Sequence, residues 1–168
     1  KTYGYKMKPF SAEDSAQIQA ISEPFGFVLG SNILTLDGEL PVEFLSVGDR
    51  IITRDAGMVV LRDVKVIDVE CPMVWIMGGS LGHDKPEDDT YLLASQKVLV
   101  RDWRAKALTQ QNQALVLAES LVDGEFIRLV GMQRITLFQL VFDAAHIVYV
   151  DGLELACEQN QTSIGLAA

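Results

Sequence analysis

The sequence predicts an all-β protein, and three observations carry that expectation. Short runs of β-branched and aromatic residues recur along most of the chain, glycine-bearing turns separate them, and helical periodicity is confined to two brief segments. Barrel and sandwich are left undecided by these features. A chain of 168 residues fits one domain. It is long enough to bury roughly 70% of the surface its unfolded form would expose, so it needs no covalent staples.

Residues 1–8 are polar and basic and read as a tail or an edge strand. Ser11 then offers an N-cap, Glu13 and Asp14 follow in the first turn, and Ile18 and Ile21 fall on one face. A short helix over Ala12 to Ile21 is expected, ended before Pro24. From Phe25 to Gly57 the pattern is strand, turn, strand. Val28, Ile33 and Leu34 favour extended backbone, Asp37-Gly38 supplies a hairpin turn, and Gly48-Asp49 and Asp55-Ala56-Gly57 turn the chain twice more. Asp49 is expected to accept backbone amide hydrogen bonds in its turn and to bind no metal.

Met58 to Glu70 alternates as a long strand, Pro72 interrupts it, and Met73 to Met77 forms a separate buried strand. After a loop rich in Gly and Asp, Tyr91 to Val100 gives a strand pair or a bulged strand. Lys97, Arg101, Arg104 and Lys106 make the one positive cluster. With Asp102 inside the run, it reads as a solvated rim in preference to a phosphate or acidic-peptide site. Leu115 to Leu121 reads as one or two helical turns closed by Asp123-Gly124. Phe126–Val130, Ile135–Phe142 and Ile147–Val150 follow as strands, and the chain is polar from Glu158 onward.

Composition narrows the function classes. The chain has 49% apolar and 22% charged residues, with no apolar run near the ~18 residues a membrane helix needs. A soluble protein without a membrane span is expected, and the first residues lack a signal peptide's order. This leaves the compartment open between cytoplasmic and export by a signal-less route. A formal charge of −9, from 23 acidic and 14 basic residues, repels polyanions, so nucleic acid is not an expected partner. Cys71 and Cys157 read as small buried hydrophobes or as one long-range disulfide. No metal spacing is present, and His83 reads as an exposed loop residue.

The opening block resembles that of Hint (hedgehog/intein) domains, in particular their bacterial stand-alone branch. The residues that carry the resemblance are Gly30, Thr35, Gly38, Pro41-Val42-Glu43, Leu45, Gly48-Asp49, Thr53, Asp55 and Gly57. Ala118 to Gly124 is similar to a further family segment. The resemblance implies a flattened, horseshoe-like β-fold of two pseudo-symmetric halves over residues 26–157, with an extension over 1–25 and a tail over 158–168. It implies no cofactor.

It also implies a chemistry. A self-processing Hint domain uses a cysteine or serine at its first position to attack the preceding carbonyl, an N-to-S(O) acyl shift. A histidine polarises that peptide and protonates the departing nitrogen. In this sequence the nucleophile position falls on Gly26, which has no side chain. The second block falls on Leu93-Ala94-Ser95-Gln96-Lys97-Val98-Leu99, where Gln96 replaces the histidine and Leu93 the hydroxyl residue. An amide donates a hydrogen bond but does not titrate.

In the last block, Phe142-Asp143-x-x-His146 fits an intein-type spacing, while the stand-alone spacing places the histidine at Ala145. His146 is either a remnant of that site or a polar residue opening a strand, and the second reading is preferred. Ser31, after Gly30, is an alternative nucleophile five residues late. The resemblance therefore implies a degenerate domain that has lost self-cleavage and acts by binding an unidentified protein or peptide, with autoprocessing through Ser31 as the alternative. Gly26 or Phe27, Gln96, and Ala145 or His146 are expected to converge on one pocket.

Overall fold

The computed structural model describes residues 23–159. The helix expected over Ala12 to Ile21 lies outside the described residues. Twelve strands form two sheets, β1 (Phe27–Val28), β2 (Asn32–Thr35), β3 (Gly38–Pro41), β4 (Arg50–Thr53), β5 (Gly57–Val60), β6 (Asp63–Ile76), β7 (Thr90–Leu93), β8 (Lys97–Val100), β9 (Ala114–Leu117), β10 (Ile127–Val141), β11 (His146–Val150) and β12 (Leu153–Cys157). The smaller sheet runs β1-β10-β6-β7. The larger runs β3-β2-β4-β11-β12-β8-β9, with β5 beside β4.

Two hairpins of the opening block share one local device. In β2–β3 the Thr35 hydroxyl donates to the Gly38 carbonyl at 2.7 Å and accepts from the Asp37 amide at 3.1 Å. In β4–β5 the Thr53 hydroxyl donates to the Gly57 carbonyl at 2.7 Å and accepts from the Ala56 amide at 3.0 Å. Each threonine ends its first strand buried, so its hydroxyl satisfies turn groups that water does not reach. Asp49 does what its position promised and accepts from the Ser46 amide at 2.8 Å.

Two long antiparallel strands, β6 and β10, pair along their length at the centre of the smaller sheet. Here the sequence expectation is corrected twice. Pro72 does not interrupt the strand, because β6 runs unbroken from Asp63 to Ile76. The Pro72 carbonyl accepts from Ala94 at 2.9 Å, so the proline's missing N–H faces the β7 side, where the ladder begins only at Met73. No β6–β10 bond is lost. Likewise Ile127–Val141 is one strand, with a bulge between Leu129 and Gly131 absorbed by Gly131 at φ +82°.

The segment 115–121 is also corrected. Leu115–Leu117 belongs to β9, where Val116 pairs with Val98, and only Ala118–Leu121 winds, as a 3₁₀ turn. Pairing with β8 outcompetes a helix too short to hold itself. The α-helix among the described residues is α1 (Trp103–Thr109), inside the basic cluster. Asp102 caps it by accepting from the Arg104 amide at 2.9 Å, and Gln110 ends it in the left-handed conformation.

Leu61, Ile33, Ile51, Ile76, Ile127, Val148 and Leu155 are fully buried in the main core, each contributing about 1.5–3 kcal/mol of burial. A second cluster, Cys71, Met73, Leu93 and Leu137, fills the smaller sheet. Both cysteines are free, Cys157 in the main core and Cys71 in the second cluster, so the disulfide alternative is set aside. No helix among the described residues is long and apolar enough to cross a membrane.

Candidate functional site

Strand β1 and the residue before it, Gly26, where the nucleophile was expected, line a cleft. Phe27 pairs with Phe138 and Val28 with Leu137, and Gly26 precedes them at φ +134°, a conformation that side-chain-bearing residues rarely adopt. The cleft holds about 40 Å³, room for a water molecule. Its walls include Pro24, Phe25, Gly26, Gln96, Ala156 and Cys157.

Gly26 and Gln96 both line this cleft. Gly26 does not, however, leave the space of a lost side chain. A Cβ placed there would lie 3.0 Å from the Phe138 carbonyl oxygen and 3.2 Å from the Leu137 Cβ. The backbone approaches β10 at a distance that glycine tolerates.

Gln96 sits on the turn between β7 and β8 and is buried. Its side-chain amide donates to the Ala156 carbonyl at 2.8 Å and to the Lys97 carbonyl at 2.9 Å. Both amide hydrogens are thereby committed, and they tie the second block to β12. The carbonyl upstream of Gly26 is held from another side. Phe25 O accepts from the side-chain amide of Gln139, on β10, at 3.0 Å.

Cys157 is a thiol on the cleft wall, but burial pushes it up to about 12, against a hydrogen bond from the Gln159 amide. A thiol so buried supplies no thiolate near neutral pH.

Neither Ala145 nor His146 lines this cleft, and strand β12 contributes Ala156 and Cys157. The reason is a competing partner. His146 Nδ1 lies 2.9 Å from an Asp55 carboxylate oxygen, the other oxygen accepts from the Ile147 amide at 2.9 Å, and the imidazole packs edge-on to Phe142. Partial burial works against the Asp55 charge, but the Ile147 amide and His146 outweigh it and hold the carboxyl below its ordinary range. His146 thus clips the β4–β5 turn to the start of β11.

Ser31 is buried in a different cleft, of about 290 Å³, walled by Glu87, Thr90, Tyr91 and Asp151 among others and by no histidine. Burial raises the Asp151 carboxyl, against hydrogen bonds from the Asn32 amide and Thr90. His83 is exposed beside Asp84. The basic cluster is largely neutralised, with Lys97 on Glu158 at 2.7 Å, Arg101 on Glu154 and Arg104 on Asp102.

Sequence reading passed over Gln139 and Asp55 as site residues. The available signal for Gln139 was a lone amide inside the apolar run Leu137 to Phe142. Asp55 stands in the sequence as a turn residue of the opening block, with nothing local to mark His146 as its partner.

With this geometry in view, comparison with known proteins settles the class. The Hint domain family profile matches residues 25–159, most of the chain, so the chain belongs to the Hint domain family. Among solved structures it is similar to the solution structure of a bacterial intein-like domain from Clostridium thermocellum. That likeness has a TM-score of 0.53 and 14% identity, and covers 82% of this chain and 100% of the other. It is also similar to the crystal structure of the MchDnaB-1 intein, with a TM-score of 0.48, 12% identity and coverage of 77% and 97%. No curated protein matches it by sequence. The all-β, Hint-like fold expected from the sequence is the fold found.

Proposed function

We propose that this chain is a Hint domain that keeps the fold and has lost peptide self-cleavage, and that it acts as a binding or structural module toward a protein or peptide. The observation that carries this reading is the composition of the cleft. The residue placed to attack is Gly26, which has no nucleophile and is pressed against β10, and the amide at the histidine position has both protons committed to backbone carbonyls.

An acyl shift needs a thiol or hydroxyl within about an ångström of attack geometry and a group that protonates the leaving nitrogen. Neither is supplied by Gly26 or Gln96. Ser31 faces a separate cleft without a histidine.

The test is intact-mass spectrometry of the purified chain after prolonged incubation with dithiothreitol. A single species at the full 18.5 kDa is expected. A thiol-dependent fragment pair from around residue 26 overturns the proposal.

A further inference from the structure

Resting on the reading of the cleft as catalytically silent, we propose that Gln139 is a positioning residue that fixes the chain's own upstream segment as one wall of it, holding the Phe25–Gly26 junction by its carbonyl. Three observations converge on this role. The β1–β10 ladder stops at Phe27 opposite Phe138, so Gly26 and Phe25 lie beyond its last pair. At that point Gly26 takes φ +134°, close against the Phe138 carbonyl. The Gln139 side-chain amide then donates to Phe25 O at 3.0 Å, supplying from a side chain the hydrogen bond that the ladder no longer gives.

The chemistry of the residue fits the task. A neutral amide donates to a carbonyl without placing a charge in a half-buried cleft, and it offers no titrating proton to a leaving nitrogen. Gln96 is not the holder, since its amide protons go to Lys97 and Ala156. Glu23, Pro24 and Phe25 themselves form part of the cleft wall, so the chain's own upstream segment closes one side of the cleft. The inference is one of retention, in which the junction is gripped and its peptide bond is left intact.

The sequence supplies a direct probe. Phe25-Gly26 is the sole Phe-Gly dipeptide in the chain, so labelling with carbonyl-¹³C phenylalanine and ¹⁵N glycine gives one correlated NMR signal for that junction. Gln139→Leu is expected to move the Phe25 carbonyl resonance upfield, as loss of a hydrogen bond to a carbonyl does. Gln133→Leu, an exposed change on the same strand, leaves it in place. Chymotrypsin, which cuts after phenylalanine, is expected to open the Phe25–Gly26 bond about fivefold faster in Gln139→Leu, the factor that one hydrogen bond represents.

In the unaltered chain, a nuclear Overhauser contact between the Gln139 side-chain amide and Phe25 is expected, which keeps the test valid if the variant folds poorly. An unmoved carbonyl resonance in folded Gln139→Leu, or absence of that contact in the unaltered chain, overturns the proposal. Thiol-dependent self-cleavage would overturn the silent-cleft reading instead, whatever these signals show.

Discussion

The side-chain amide of Gln96 donates to the main-chain carbonyl of Ala156 at 2.8 Å, joining the turn after β7 to strand β12 across the floor of the cleft. A second bond goes to Lys97 O at 2.9 Å. Where a self-processing relative would keep a proton in play, this chain uses both amide protons as structural ties.

Removing those ties should be costly. Gln96→Leu leaves two carbonyls without their donor and is expected to lower stability by about 2–3 kcal/mol, read as a shift in the urea unfolding midpoint at unchanged slope. A cost near zero would mean that the amide is not structurally engaged.

Gly26 and Gly30 offer a paired test of the close approach to β10. Both have positive φ, but a Cβ at Gly30 meets nothing within 4 Å, whereas one at Gly26 meets Phe138 O at 3.0 Å. Gly30→Ala is expected to cost about 1 kcal/mol from backbone strain alone, and Gly26→Ala about 1–2 kcal/mol more. Equal costs from the two denaturation curves would refute the contact. The same strain would burden any attempt to restore a nucleophile by Gly26→Cys.

These two positions also show how far sequence reading reached. That Gly26 and Gln96 share a cleft was legible only through the family resemblance, while the turns at Thr35 and Thr53 are local chemistry. What lay outside that reach was set by pairing between distant strands. Pro72 looks like a breaker in isolation, but its missing N–H faces away from β10, and Gly131, paired with Met73, supplies the positive φ that the bulge in β10 requires. Leu115–Leu117 became a strand because β8 was available to pair with it. Helix α1 carries its Asp102 cap in the sequence, inside a run whose alternating charges suit a solvated rim equally well. His146 was drawn out of the cleft by Asp55, a residue 91 positions away.

Acid should weaken the Asp55 clip. Its carboxyl is held below the ordinary value in the folded chain, so it contributes stability that is present above the unfolded pKa of about 3.9 and is lost as pH falls through the lower folded value. Asp55→Asn is expected to be less stable than the parent at pH 7 and to lose less on acidification to pH 3, as measured by thermal melts across that range. Parallel melting curves at every pH would contradict the assignment.

Thiol accessibility checks the placement of the cysteines. Burial raises both, Cys157 to about 12, so neither should react appreciably with a thiol reagent at pH 8 in the folded state, and both should react after unfolding in denaturant without reductant. A failure to count two thiols in the unfolded chain would reveal a disulfide.

Asp49 is a structural turn residue, accepting from Ser46. Asp49→Ala is expected to lower stability by about 1 kcal/mol, with melting of the parent unchanged by a chelator. Chelator-sensitive melting would require a different role for it.

Hydroxylamine trapping tests the central claim most directly, because it captures an ester or thioester formed at any residue and marks the site by the mass of the fragment released. After incubation at neutral pH the account predicts one species at 18.5 kDa and no hydroxamate-ended fragment. A fragment ending at Phe25 would show that the junction is still attacked, and one ending at Gly30 would show that Ser31 is the nucleophile. Either result would contradict the loss of self-cleavage.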